Sequence, residues 1–405
     1  MSEKLYIALP VLNETGYIEK FIDCTKKQTY KNFELWVCVN QPDYWWTEKD
    51  KIAICRNNVQ TIEYLKSIED IKVVILDKAG QGNGWDFSTK SCVGLARQYV
   101  MEKIDRVALN DDIIISLDAD TEFSIDYFQT IVDNFRNHPK AIGLSVPYYH
   151  KLTGDEDLDR AILRYEIYMR YYAINMHRIN SPYAFTALGS AMAVPVNGYR
   201  YIGGISPKNS GEDFYFIQKL AKSGELLIWN KERVYPAGRI SDRVDFGTGP
   251  ALKKGVEGDW KSYPIYDYRF FDEIGYTYDL LPELFENDLE TPVLEFMSSK
   301  FKPPKFWQPM RNTHKNSKER FVRAVKEKID GLRILQYLKN KQSSVEYSDE
   351  ENLLNYLKKF HDNSVFNEYH DNYEVFSFSN SPVGLLNKLR DYLMNIEEHY
   401  QTKRD

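Results

Sequence analysis

Ile113-Ile114-Ile115-Ser116-Leu117-Asp118-Ala119-Asp120 is an apolar run that ends on two carboxylates two positions apart. β-Branched residues in succession mark a strand buried on both faces, the kind found in parallel sheets covered by helices. In extended chain, side chains at i and i+2 share a face. Asp118 and Asp120 would then present their oxygens together, as a hard divalent cation requires. Turn capping is the other common use of acids at such a point. The pairs Asp155/Asp157 and Asp157/Asp159 have the same spacing but lie in a polar stretch that reads as solvated loop. Only the first pair follows a buried strand.

Upstream of this strand, 5–9, 33–39 and 71–76 read as further strands, and 16–26, 59–68 and 87–103 carry apolar residues at helical spacing. Strand and helix in alternation imply right-handed crossovers and a mostly parallel sheet. Ligands of such sheets bind beyond the carboxyl ends of the strands. Polar groups stand at these ends: Pro10, Asn13 and Glu14 after the first, 40–43 with Asp43 after the second, 77–84 after the third, and the acidic pair after the fourth.

Downstream, a helix is expected over 126–137, a strand over 141–147, a Tyr-rich helix over 158–178, a strand over 187–196 and a helix over 214–223. Gly211-Glu212-Asp213 opens the last of these. A carboxylate there serves either as a general base toward a hydroxyl or as a complement to the helix dipole. Arg239-Ile240-Ser241-Asp242-Arg243-Val244-Asp245-Phe246-Gly247-Thr248-Gly249 reads as a loop. Its arginines can grip phosphate oxygens and its glycines permit closure, or it is a salt-bridged surface turn. Beyond it the texture changes to long helical patterns over 317–340, 350–360 and 383–400, which places a domain boundary at 257/258 and gives domains of 1–257 and 258–405.

The 405 residues carry a net charge of −6, so no global basic field holds nucleic acid. Cys24, Cys38, Cys55 and Cys92 match neither a paired zinc spacing nor a disulfide framework, and read as core thiols of a reducing compartment. No stretch approaches the ~18 apolar residues of a membrane span, so a cytoplasmic protein is expected, at most peripheral on the inner face of a membrane. The segment 300–341 has 13 Lys+Arg against 3 Asp+Glu and could dock an anionic surface. Val322, Val325, Ile329 and Leu332 also give it an apolar stripe, as on any solvated helix that packs by one face. The aromatic content, 14%, suits sugar or base stacking as well as an ordinary core.

In this order, the pieces resemble the family 2 glycosyltransferases. The match is Ile7-Ala8-Leu9-Pro10-Val11-Leu12-Asn13-Glu14, then Gly94-Leu95-Ala96-Arg97, then Leu117-Asp118-Ala119-Asp120, then Gly189-Ser190-Ala191 and Gly211-Glu212-Asp213, over roughly residues 1 to 255. The resemblance implies an α/β fold of GT-A type, a Rossmann-like mostly parallel sheet, here followed by an α-helical C-terminal domain. It implies an inverting hexosyltransferase that moves one sugar from a UDP- or GDP-linked donor to a saccharide or lipid-linked acceptor. Carried over residue by residue, Pro10, Asn13, Glu14 and, more weakly, Asp43 would line the nucleotide, with Arg97, Asp118, Arg239 and Arg243 completing the donor site. Asp118 and Asp120 would hold Mn²⁺ or Mg²⁺. Asp213 would be the base, and Glu212 would orient the acceptor or brace that base.

Two departures stand out. Many relatives place a His metal ligand after the base helix, whereas no His occurs between His177 and His314, and Asp242 is the best local substitute. The QxxRW signature of processive synthases is absent, which favours transfer of a single sugar. A nucleotidyltransferase would need a Gly-rich basic loop after the first strand, where Asn13 and Glu14 stand instead. A non-catalytic carbohydrate-binding scaffold would have no need of Asp118, Asp120 and Asp213.

Overall fold

The computed structural model describes residues 3–86, 92–206, 211–241, 247–302, 305–343, 347–361 and 376–404. The chain forms two compact units. The first takes Met1–Ile162 and Phe185–Glu257, the second Leu163–Ala184 and Gly258–Arg404.

In the first unit the elements run β1 (Leu5–Val11), α1 (Thr15–Lys26), β2 (Phe33–Asn40), α2 (Ile52–Lys66), β3 (Val73–Lys78), α3 (Cys92–Asp105), β4 (Ile113–Ser116), β5 (Thr121–Phe123), α4 (Tyr127–Asn137) and β6 (Ala141–Ser145). Helix α5 (Glu156–Arg178) leads into the second unit. After it come β7 (Met192–Pro195), α6 (Val196–Tyr201), α7 (Glu212–Ser223), β8 (Glu225–Leu227), β9 (Val234–Pro236) and α8 (Thr248–Val256).

Seven strands form one sheet in the order β3-β2-β1-β4-β7-β6-β8. Only β7 runs against its neighbours, so the sheet is mostly parallel, as the strand and helix alternation requires. Every residue of β1, β2 and β4 is buried, which is why these strands read as continuous apolar runs rather than alternating ones. One face of the sheet, with Tyr6, Ala8, Trp36, Cys38 and Ile114, packs against Ala96, Val100 and Ile104 of α3 and Phe216 and Ile217 of α7. Burying a side chain of this size contributes about 1.5–3 kcal/mol.

Pro10 sits in a central strand, where a missing N–H is normally costly. The register explains it. The carbonyl of Ala8 accepts the N–H of Leu117, so the even positions of β1 face β4, and β4 ends at Ser116 opposite Ala8. Pro10 therefore turns its N toward a strand that has already stopped. The gap lies between β1 and β4, where the strand order 3-2-1 gives way to 4, the switch point at which open α/β sheets receive ligands.

Several elements differ from expectation. The strands β5, β8 and β9 are three residues each, too short to give a period. Asp118 and Asp120 are not extended strand but part of a turn, closed by the Thr121 N–H on the Asp118 carbonyl at 3.0 Å. Asp157 and Asp159 belong to the first turn of α5 rather than to a solvated loop, and Asp159 caps that helix entry by accepting the N–H groups of Thr153 and Gly154. Phe87, where the third helix was expected to begin, lies outside the described residues.

The second unit holds α9 (Tyr268–Leu284), α10 (Pro292–Ser298), α11 (Gln308–Thr313), α12 (Lys318–Lys328), α13 (Gly331–Gln342), α14 (Asp349–Phe360) and α15 (Val383–Arg404). The pattern over 317–340 is two helices, because Asp330 caps a new one through the N–H of Arg333. Helix α5 packs here through residues 163–178: the Tyr171 hydroxyl donates to the Tyr266 carbonyl at 2.6 Å, and the Tyr171 ring meets Tyr356 at 5.0 Å. Among the described residues, no helix is long and apolar enough to cross a membrane.

Candidate active site

The carboxyl ends of β1 and β2 are tied by amides. Asn40 donates to the Val11 carbonyl (2.8 Å) and accepts from the Trp85 indole (3.1 Å), while Asn58 accepts the Asn13 N–H (2.7 Å) and donates to Gln41 (2.8 Å). These bonds hold Asn13 at φ 58°, a left-handed conformation that Asn tolerates, with its side chain exposed. Asp43 accepts the N–H groups of Gly82 (2.8 Å) and Gly84 (3.3 Å). That contact is close because Gly84 has no side chain: a Cβ there would stand 2.6 Å from the Asp43 backbone.

Arg97 projects from α3 and is 2% exposed. Its Nη2 donates to Asp118 (2.9 Å), its Nε to Glu212 (3.1 Å), and its Nη1 to the Ser116 hydroxyl (2.5 Å) and the Gly189 carbonyl (2.7 Å). Burial works against the guanidinium charge, but Asp118, Glu212 and Asp213 outweigh it and hold the proton more tightly than in a free arginine. Gly189 makes room for this group, since a Cβ would stand 2.3 Å from Nη2. Four bonds thus fix Arg97 in place. It joins the end of β4 to the start of α7.

The second cluster surrounds Arg239, just past β9. Its guanidinium donates to Asp120 Oδ2 (2.7 Å from Nε) and to Glu14 Oε1, and lies over the Tyr17 ring at 4.4 Å. Glu14 is buried at the start of α1. The pairing of β5 with β9, together with the Ala237 N–H on the Asp120 carbonyl (3.2 Å), carries residue 239 to the acidic turn.

Glu212 and Asp213 open α7 after Gly211, whose φ of 75° is left-handed. Glu212 is held by Arg97, and Asp213 is half-buried beside it. Burial and the neighbouring Glu212 charge push the Asp213 carboxyl up to about 7, against the opposing pull of Arg97 and of the Phe214 N–H. A carboxylate so placed is poised to take a proton near neutral pH.

Of the residues expected from sequence, Glu14, Arg97, Asp118, Asp120, Glu212 and Arg239 are linked through two guanidiniums, with Asp213 adjoining Glu212. Pro10 and Asn13 line the strand end beside them. Asp242 and Arg243 lie outside the described residues. Tyr17, Ser116 and Gly189 enter as supports. Only the helical spacing from Glu14 could have pointed to Tyr17, whereas Gly189 stood in a matched motif. In the segment 300–341, Lys305 and Arg311 pair with Asp288, Lys318 with Glu286 and Lys341 with Glu273.

Among the described residues, no three His, Cys, Asp or Glu converge as a metal cage. The donor set still suits a hard cation held through one or two carboxylates plus substrate phosphates, since Asp118 is 36% exposed and engages Arg97 through one oxygen.

No family model matches the chain, and no curated protein matches it. Among solved structures it is similar to S. aureus TarS in complex with UDP-GlcNAc, at 12% identity over 71% of this chain and 68% of that one, with a TM-score of 0.39. It is similar also to the mannosyltransferase PcManGT from Pyrobaculum calidifontis in complex with GDP-Man and Mn²⁺, at 14% identity over 97% and 88%, with a TM-score of 0.36. A third is GalNAc-T7 with UDP, GalNAc and Mn²⁺, at 14% identity over 71% and 52%, with a TM-score of 0.38. At such identities and scores these overlaps assign neither a family nor a substrate.

Proposed function

We propose that the chain is an inverting glycosyltransferase of GT-A type that moves one hexosyl group from a UDP- or GDP-linked donor to a saccharide or lipid-linked acceptor. The observation that carries this reading is the Arg97 bridge: Asp118 and Glu212 share one guanidinium, so the carboxylate suited to a cation on a donor diphosphate adjoins the helix turn that bears Asp213. Glu14, Asp118, Asp120, Glu212 and Asp213 gather around Arg97 and Arg239. A diphosphate entering so acidic a site needs further positive charge. Mn²⁺ or Mg²⁺ held by Asp118 and Asp120, with Asp242 as a third ligand, would supply it and offset charge on the leaving nucleoside diphosphate.

Asp213 accepts the proton of the acceptor hydroxyl as that oxygen forms its bond to the anomeric carbon. The bond from that carbon to the diphosphate oxygen breaks on the opposite face, and the electron pair leaves with the nucleotide. One base and one displacement give inverted configuration. Pro10 and Asn13 lie against the base and ribose. Glu14 and Asp43 fix the walls through the contacts they already make, and Arg239 with Arg243 meets the diphosphate. A cytoplasmic location, with 300–341 against an anionic headgroup layer, completes the proposal; equal flotation on neutral and anionic vesicles would remove that last part.

Thermal denaturation with UDP, GDP, CDP and their sugars, each with Mn²⁺ or with EDTA, tests the reading, because a ligand that binds only the folded state raises the melting point. The expected outcome is a metal-dependent shift with one nucleotide that disappears in Asp120→Asn. No shift with any nucleotide would overturn it.

A further inference from the structure

Arg239 holds more than a place in a loop. Gly238, the residue before it, packs so closely that a Cβ would stand 2.2 Å from the Ile162 side chain, which fixes the backbone from which Arg239 reaches. Two of its nitrogens lie at 2.7 and 2.6 Å from the same Asp120 oxygen. The same group bonds Glu14 and rests on Tyr17, and the Arg239 side chain is only 22% exposed. A guanidinium with two charged partners and an aromatic floor is held firmly, and it occupies one of the oxygens that a cation at Asp120 would use.

We infer that Arg239 is an internal counter-cation of Asp120: in the free protein it competes with a divalent ion for that carboxylate, so metal and donor diphosphate bind well only together. This rests on the transferase reading of the same site. A diphosphate offers the guanidinium acceptor oxygens equivalent to those of Asp120 and Glu14, so the donor itself relieves the competition. Metal alone brings no such replacement.

The test is titration of the full chain with Mn²⁺ in the absence of nucleotide, reading free Mn²⁺ by electron paramagnetic resonance. Arg239→Gln should bind Mn²⁺ roughly tenfold tighter than the parent, because one competing charge at contact distance is gone. Arg136→Gln removes the same charge from an arginine paired with Glu3 and should leave Mn²⁺ binding unchanged. Adding Asp120→Asn to Arg239→Gln should erase the gain. Tyr17→Leu, which removes only the aromatic floor, should give a smaller gain and serves if Arg239→Gln fails to fold. With UDP or GDP present, the advantage of Arg239→Gln should shrink or reverse. Equal or weaker Mn²⁺ binding by both Arg239→Gln and Tyr17→Leu would overturn the inference, as would no Mn²⁺ binding by any form. In either case an EDTA-insensitive nucleotide shift would leave the transferase reading standing, whereas a tenfold gain without any nucleotide shift would sink that reading instead.

Discussion

In the proposed reaction, Asp213 concentrates the chemistry at the scale of one residue. Its carboxyl sits up to about 7, against 3.8 for an ordinary aspartate, chiefly because it is buried and next because Glu212 is charged beside it. A base works deprotonated, so kcat/KM should climb with pH toward about 7 and level off above it. Asp213→Asn should lower kcat by roughly 10²–10⁴-fold and abolish that limb of the profile. The same shift has a sign for stability. The folded protein holds this proton better than the unfolded chain, so stability falls as pH rises from 3.8 through about 7. Asp213→Asn should therefore melt higher than the parent at pH 8 and lose that advantage at pH 4, a crossing that calorimetry would detect. Gly189→Ala tests the neighbouring bridge without touching a charge. Its Cβ would intrude on Arg97 at 2.3 Å, so about 1–3 kcal/mol of stability should be lost, with kcat falling more than donor KM rises. A variant with full stability and full activity would show that Arg97 has room to move without consequence.

Which residues were legible follows from how far apart their partners stand. Asp118 and Asp120 announce themselves because an apolar strand precedes them, and Glu212-Asp213 because a helix follows. Arg97 was readable only as a motif member. Nothing local says that it would be buried with Glu212, 115 positions away, or that Arg239 would pair with Glu14 across 225 positions.

Among the elements, strands of the central sheet were legible because they are buried on both faces, whereas β5 and β9 were not. Yet that three-residue pair carries Arg239 to Asp120. In the second unit α14 and α15 were legible by period, and α12 with α13 as one pattern, but not α9, α10 and α11, nor the charges buried between helices. Arg170 of α5 donates to Glu166 on its own helix and to Glu397 of α15 at 2.7 Å, and Arg390 approaches Glu166 at 3.5 Å, all nearly free of solvent. Desolvation is expensive for every member, and burial raises the Glu397 carboxyl above its usual range despite Arg170. Arg170→Met should thus cost about 3–5 kcal/mol, because it leaves two carboxylates facing each other without their shared cation. Replacing all four residues with apolar ones of similar size should be nearly neutral, as denaturant unfolding would measure. A quadruple variant as unstable as the single one would mean that these charges specify the packing of α15 rather than merely satisfy one another.

At the scale of the whole molecule, the sequence texture suggests a cut at 257/258, but the compact units divide the chain differently, since 163–184 packs with the C-terminal helices. The reason is chemical. From Leu163 onward α5 is buried on nearly every side, its charged residues included, and Leu163, Ile167, Tyr171 and Ile174 are all fully buried. A helix covered on all sides lies within a core, and the partners of Tyr171 within the second unit are Tyr266, Phe271 and Tyr356. A fragment ending at residue 257 would keep α5 and lose those partners, leaving an exposed apolar surface of the kind that drives association. Such a fragment should bind a hydrophobic dye strongly and elute from a sizing column as aggregates, even though it retains every residue of the candidate site. Co-expression with 258–405 should restore a monodisperse complex, because the second piece brings the missing partners of α5. A 1–257 fragment that stays monomeric and melts in one sharp transition would contradict this, and would place the covering of α5 within the first 257 residues.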